Sequence, residues 1–183
     1  MRKVLKWLAV VLVGLSSLFI MVNIHEIGHT LLARLLGDPD STYYLVRIYP
    51  GGGMCLGCNI YDESKLTWAG TLLTSLGGAL FTQAGFWLQL WLSSLAGVAA
   101  WLRGLVRLSA WIFFVDLPLQ MLQAFRSDVA QPENFTQVDF ADVSWLLSQR
   151  VDLPIAGIRV ILAVLCAAYI AGVIQWQRTR KGQ

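Results

Sequence analysis

Hydrophobic positions along the chain are concentrated in four long stretches that are separated by shorter polar segments. The four stretches lie near residues 7–35, 67–92, 104–125 and 153–175. Each is long enough to cross a bilayer, because a transmembrane helix needs about 20 predominantly apolar residues. The pattern therefore predicts an all-α integral membrane protein, with about four transmembrane helices in a single domain, residues 1–183.

The segment between the first two stretches has a different pattern. Gly37 is expected to end the first helix, and "DPD" directly after it marks a turn. "YYLVRIY" is typical of a strand and "PGGG" of a turn, with a shorter strand after it. We therefore expect a short β-hairpin at about 41–61. A second polar segment, before the fourth stretch, ends in a short amphipathic helix around "ADVSWLLSQ".

Composition agrees with a membrane protein and excludes some other classes. Of the 183 residues, 56% are hydrophobic and 14% are charged, whereas roughly a quarter are charged in an average soluble domain. The net charge of +3 is too small and too dispersed to indicate a nucleic-acid partner. The N-terminal segment resembles a secretory signal, but no A-x-A cleavage site follows it. We therefore expect this segment to be retained as the first span.

Basic residues give the predicted bundle an orientation. They precede the first span, separate the second from the third, and follow the fourth: Arg2, Lys3, Lys6, Arg103, Arg107, Arg178, Arg180 and Lys181. With four spans all three groups lie on one side of the bilayer, which the positive-inside rule makes the cytoplasmic side. The sequence thus predicts a multi-pass membrane protein with both termini in the cytoplasm.

The first span carries the candidate chemistry, in the pentapeptide "HEIGH". On a helix, His25 and His29 share one face, so both imidazoles can reach one metal ion, and Glu26 lies one step round. This is the H-E-x-x-H arrangement in which two histidines bind zinc and the glutamate is the general base. The alternative is a packed pair of histidines with a glutamate partner. The chain has only these two histidines, and ionisable groups inside a membrane are costly and usually functional, which favours the metal site.

A catalytic zinc ion needs a third protein ligand besides the open position for water. Four aspartates are candidates: Asp116, Asp128, Asp139 and Asp142. We place Asp116 first, because it lies inside a span, where an unpaired carboxylate is costly. Pro118 close by could open the helix backbone around it.

These features resemble the site-2 protease class of intramembrane zinc metalloproteases (the M50 peptidase family), and most closely its compact M50B-like branch. The similarity is carried by "HEIGHTLLARLLG", by the hairpin "YLVRIYPGGG" and by "WAGTLLTSLGGAL", and more weakly by "VDLPLQ" and "ADVSWLL". The resemblance implies cleavage of a membrane-anchored protein substrate. It carries His25 and His29 over as Zn²⁺ ligands and Glu26 as the catalytic base. With the orientation given above, we expect the active site to face the non-cytoplasmic side of the membrane.

The chain departs from this family at the third ligand. The family's N-x-x-P-x-P-x-L-D-G segment, whose aspartate binds zinc, has no counterpart here. The similarity of "ADVSWLL" makes Asp142 the second candidate after Asp116.

The missing segment also leaves an alternative function open: the protein could be a proteolytically inactive relative that acts as a membrane binding or adaptor protein. The retained Glu26 favours the enzyme, because a purely structural site gains nothing from a base. A transporter is less favoured, since no inverted repeat is evident.

Two cysteines in the first polar segment, Cys55 and Cys58, form "CLGC". A disulfide, a redox pair and half of a zinc ribbon all fit this spacing. A ribbon needs a second pair, and the only other cysteine, Cys166, lies in a span. We therefore expect two loop cysteines with at most a local bridge.

Overall fold

The computed structural model describes residues 2–48, 53–95, 97–127 and 139–181, and within them the chain is mostly helical. These residues form five α-helices and one two-stranded sheet: α1 (Arg2–Leu36), β1 (Thr42–Ile48), β2 (Met54–Ile60), α2 (Trp68–Ser94), α3 (Ala100–Arg126), α4 (Asp139–Ser148) and α5 (Ile155–Lys181). A 3-10 turn, Glu63–Lys65, precedes α2. The predicted hairpin and the predicted short helix before the last span are both confirmed.

Among the described residues, three helices are long and apolar enough to cross a bilayer. They are Val4–Leu36 in α1, Ala100–Arg126 in α3 and Ile155–Thr179 in α5. These match three of the four predicted spans and are consistent with a membrane protein. The remaining predicted span, 67–92, forms helix α2, but its mean hydropathy is too low for it to be counted among the membrane-spanning helices. Threonine, serine, glutamine and glycine take up much of α2 and lower its hydropathy.

The polar residues of α2 lie on its buried face. That face consists mostly of small or hydroxyl-bearing residues: Gly70, Thr71, Thr74, Ser75, Gly77, Gly78, Ala79 and Thr82. The opposite face exposes large apolar side chains, among them Leu80, Leu88 and Trp91. A helix in water has the reverse arrangement. The low hydropathy of α2 thus comes from residues that point into the protein.

Helices α1 and α2 cross with their backbones in contact. A Cβ atom added at Gly28 would lie 2.4 Å from the carbonyl oxygen of Gly77, and one added at Gly77 would lie 2.8 Å from the carbonyl oxygen of Gly28. Only glycine at both positions permits this approach, as in other close helix pairs in membranes. Helix α3 contacts α1 through a hydrogen bond of 2.8 Å from Ser17 Oγ to Ser109 Oγ.

The hairpin packs against α1 near the histidine motif. Its strands are antiparallel, with pairs from Thr42↔Ile60 to Ile48↔Met54, and most of the predicted "PGGG" turn lies outside the described residues. Gly57 in β2 has a φ of +65°. A Cβ atom there would lie 3.2 Å from Val22 and 3.3 Å from Glu26. The sheet is therefore held directly over this turn of α1.

The C-terminus of α1 is fixed by a glycine and a buried aspartate. Gly37 has a φ of +141° and ends the helix, as predicted. Asp38, 2% exposed, accepts hydrogen bonds from the backbone N–H of Asp62 (2.7 Å) and from Lys65 Nζ (3.0 Å). The Asp62 bond, with the Lys65 charge, holds the pKa of Asp38 below its ordinary value. This contact ties the end of α1 to the segment that precedes α2.

The chain divides into two compact units, Met1–Asp116 and Leu117–Gln183, with the boundary inside α3. The first unit contains α1, the hairpin, α2 and the first part of α3. In the second unit, Arg159 Nη2 in α5 donates a hydrogen bond of 3.0 Å to the carbonyl oxygen of Ser127, at the end of α3. The prediction of one membrane-embedded domain stays a prediction.

Candidate metal centre

Helix α1 brings the three motif residues to one place. His25 and His29 are each 5% exposed, and Glu26 is half-buried. The two imidazole ring centroids are 4.9 Å apart, and the metal-binding nitrogens that the rings offer lie within 4.8 Å of each other. Helix α1 thus brings the predicted histidine pair together on one buried face.

Each imidazole is held through its Nδ1 atom. Nδ1 of His29 lies 2.6 Å from the carbonyl oxygen of Thr74, and Nδ1 of His25 lies 2.8 Å from Oδ2 of Asp116. The carbonyl oxygen of Thr74 can only accept, and Oδ2 of Asp116 also accepts from Thr82, so both Nδ1 atoms are the donors of these contacts. In a neutral ring of this tautomer the lone pair is on Nε2. Zinc-binding histidines in proteins are oriented by the same kind of contact.

Asp116, predicted as the third ligand, lies against a histidine. Its Oδ2 atom accepts hydrogen bonds from both His25 Nδ1 (2.8 Å) and Thr82 Oγ1 (2.6 Å), and the side chain is buried. The contact with His25 is made to Nδ1, whereas a metal ion bound to Nε2 would lie on the other side of the imidazole ring. Asp116 is in the position of the carboxylate that orients a zinc-binding histidine through its second ring nitrogen. The geometry therefore favours orientation of His25 over direct ligation by Asp116.

The backbone beside Asp116 is adapted to a proline, as the sequence suggests. Pro118 lies inside α3 and has no N–H to donate to the carbonyl oxygen of Phe114, four residues earlier. The side-chain amide of Gln83 in α2 donates to the carbonyl oxygens of Phe113 (3.3 Å) and Phe114 (3.5 Å). This contact ties α2 to α3 one turn from Asp116.

Gly78 gives the His25 ring its space. A Cβ atom at this position would lie 2.4 Å from Nε2 of His25 and 2.5 Å from two of its ring carbons. Its neighbour Gly77 lies against the backbone of α1, whereas Gly78 accommodates a side chain of the site.

Glu26 is contacted by the hairpin. The amide of Asn59 in β2 donates a hydrogen bond to Oε2 of Glu26, and the hydroxyl of Tyr43, opposite Asn59 in β1, donates to Oδ1 of Asn23. Burial raises the pKa of Tyr43, and the negative charge of Glu26 adds to the shift. The hairpin thus covers the turn of α1 that precedes His25.

Apart from Asp116, the sequence alone did not identify the residues that contact the motif or its partners: Asn23, Tyr43, Asn59, Thr74 and Thr82. Two of them carried a signal. Asn23 is an amide inside an apolar span, where polar groups are costly, and Asn59 is an asparagine in a predicted strand, where this residue type is depleted. The threonines of α2 carried none, since threonine is common in membrane helices.

The other three candidate aspartates lie after α3. Asp139 and Asp142 are in the first turn of α4; Asp139 is 7% exposed, and Asp142 is half-buried. Asp128 lies outside the described residues. A fully buried carboxylate must be hydrogen-bonded, paired or bound to a metal, so burial places Asp139 ahead of Asp142 as a ligand candidate.

The two hairpin cysteines are bonded to each other. Cys55 and Cys58 form a disulfide within β2. The prediction allowed such a local bridge but placed the two cysteines in a loop, whereas they lie in a strand. Cys166 is a free thiol.

The candidate centre consists of two buried imidazoles, the Glu26 carboxylate beside them and a buried aspartate that contacts one ring. Comparison of the chain with protein-family models, with curated proteins and with solved structures finds no match.

Proposed function

We propose that the protein is an intramembrane zinc metalloprotease that hydrolyses peptide bonds of membrane-anchored proteins. The observation that carries this proposal is the pair of buried histidines in a membrane-length helix, each held through Nδ1 by an acceptor on another helix, with Glu26 beside them. When bound, Zn²⁺ supplies a Lewis acid that polarises a carbonyl and lowers the pKa of water to about 7.

The residues of the chain then have separate tasks. His25 and His29 hold the ion, Asp116 fixes the tautomer of His25, and the backbone of α2 does the same for His29. The Glu26 carboxylate takes a proton from the attacking water and returns it to the leaving nitrogen of the peptide. General acid–base catalysis of this kind contributes typically 10²–10⁴-fold to a rate.

For the third ligand we propose Asp139, with Asp142 as the alternative. Asp116, our first candidate from the sequence, is occupied by His25 and Thr82. Asp139 is the more deeply buried of the two aspartates in α4. The family that the sequence resembles also uses an aspartate at this place in the ligand set.

We further propose that α2 also spans the membrane, so that the chain has four spans in all. Its 27 residues would extend about 40 Å, more than the hydrocarbon thickness of a bilayer, which is about 30 Å. Its exposed face is apolar and its buried face polar, which suits a helix surrounded by lipid. Four spans place the basic clusters and both termini in the cytoplasm, and the metal centre towards the other side.

The test is the substitution Glu26→Gln. We expect about one zinc ion per chain in both the wild type and this variant, because the glutamate is not a ligand. Hydrolysis of a membrane-anchored model substrate should fall by about 10²–10⁴-fold in the variant. Glu63→Gln, the same change in the turn before α2, is the matched control and should leave both values unchanged.

Three outcomes would contradict the proposed protease activity. If hydrolysis survives Glu26→Gln, another group is the base or the activity belongs to a contaminant. If the wild type binds zinc but cleaves no membrane-anchored substrate, the alternative of an inactive membrane adaptor is favoured. A wild type that binds no zinc after supplementation would leave the motif as a packed polar cluster.

A further inference from the structure

The disulfide in β2 shortens the strand next to the metal centre. In an extended strand, residues three apart are about 10 Å from one another, whereas the Cα atoms of Cys55 and Cys58 are 6.1 Å apart. The left-handed backbone of Gly57, between the two cysteines, lets the strand contract. The proposed activity gives this bridge no role.

The contracted segment is also the part of the hairpin that lies on α1. Gly57 packs so closely that an added Cβ atom would lie 3.3 Å from the side chain of Glu26. Cys58, at one end of the bridge, is buried, and the next residue is Asn59, whose amide donates to Glu26. The shape of the bridged segment therefore sets where that amide is placed.

We propose that Asn59 is a positioning residue for Glu26 and that the Cys55–Cys58 disulfide keeps Asn59 in place, so that reduction of the disulfide lowers turnover. The inference rests on the proposed protease activity and adds a mode of regulation to it. A glutamate side chain has several rotatable bonds, and a donor on one carboxylate oxygen fixes its plane. A base must lie within hydrogen-bond reach of the proton that it takes, and a displacement of about 1 Å can cost about 100-fold in rate.

Reduction would release this arrangement. A phosphine reductant such as TCEP attacks one sulfur and breaks the S–S bond, and water then supplies an oxygen to the phosphine. The products are a phosphine oxide and two thiols, whose protons come from the water. The strand is then free to lengthen between Cys55 and Cys58, and Asn59 moves away from Glu26.

The experiment compares kcat, KM and zinc content before and after TCEP treatment in detergent. The variants are Asn59→Leu, which removes the amide at nearly the same size, and the double variant Cys55→Ser with Cys58→Ser. Met54→Ala, an exposed change in the same strand, is the control. Backbone amide hydrogen exchange of residues 54–60 gives a readout that does not depend on activity.

We expect Asn59→Leu to lower kcat by about 10- to 100-fold with KM and zinc content unchanged. TCEP should lower kcat of the wild type to a similar extent, speed exchange at 54–60, and have no further effect on Asn59→Leu or on the double serine variant. Met54→Ala should respond to TCEP as the wild type does.

Three results would overturn the inference. They are an unchanged kcat in reduced wild type, unchanged exchange at residues 54–60 after reduction, and loss of zinc from Asn59→Leu, which would make its role structural. If the wild type hydrolyses nothing, the proposed function has failed. The effect of the bridge on the hairpin is then decided by the exchange measurement alone.

Discussion

The contact between Asp116 and His25 allows a quantitative test of the proposed metal centre. Asp116→Asn keeps the shape of the side chain and one acceptor oxygen but removes the charge. Oδ2 of Asp116 lies 2.8 Å from Nδ1 of His25 and 2.6 Å from Thr82 Oγ1, and hydrogen bonds to a charged acceptor are about twice as strong as neutral ones. Loss of a partner of this kind typically costs 10- to 100-fold in metal affinity. That corresponds to about 1.4–2.8 kcal/mol of binding free energy.

The assay is competition for zinc between the purified protein and a chromophoric chelator, with the zinc content at saturation measured by mass spectrometry. Asp116→Asn should bind one zinc ion at saturation, with the weaker affinity given above. Asp139→Asn, which removes the proposed ligand, should not reach one ion per chain. Asp152→Asn changes an exposed carboxylate and serves as the control.

The opposite result would refute the assignment of roles. If Asp116→Asn abolishes stoichiometric binding while Asp139→Asn binds as the wild type does, Asp116 is the ligand and the hydrogen-bonding role is wrong. If both variants bind normally, neither carboxylate belongs to the site. The zinc affinity of the control variant Asp152→Asn shows how much a change of an exposed carboxylate alone alters the measurement.

Two further predictions concern geometry and charge. Gly78→Ala should displace the His25 ring, because its Cβ atom would lie 2.4 Å from Nε2; we expect zinc content to fall, whereas Gly14→Ala, with nothing within 4 Å, should retain it. Asp38 has a pKa below its ordinary value of 3.8 because the backbone N–H of Asp62 donates to it. The stability that Asp38 contributes is therefore present above about pH 4 and lost as the pH falls through its lowered pKa, so thermal unfolding at stepwise lower pH should show a smaller decline in Asp38→Asn than in the wild type.

The sequence identified the elements that depend on local pattern. A run of apolar residues with one polar cluster was enough to place His25, Glu26 and His29 on a single helix, and "YYLVRIY" with "PGGG" was enough for a hairpin. Gly37 was predicted as the end of α1 from its residue type. Each of these features depends on residues that are close neighbours in the chain. Over such short distances, hydrophobic periodicity and the preferences of turn residues predict the local structure.

What the sequence could not give was how distant segments meet. The cost of an unpaired carboxylate inside a membrane span pointed to Asp116 as a ligand, but it did not reveal that this carboxylate meets Nδ1 of His25. The apolarity of α2 was overestimated, since its threonines and serines were counted with an apolar run although they face inward. The contact of Asn59 with Glu26 depends on how the hairpin folds back on α1, which the alternation of residues within a strand does not encode.

The order in which the chain is made has a consequence for how the centre assembles. The motif lies at residues 25–29, but the acceptor for His29 lies 45 residues later in the chain and the acceptor for His25 lies 91 residues later. During synthesis the two imidazoles are therefore complete long before anything fixes their tautomers. Until α3 has been added, Asp116 is not there to fix the tautomer of His25. In the proposed metal centre a correctly held zinc ion would therefore be acquired late in biogenesis, and a nascent chain shorter than about 116 residues would lack it.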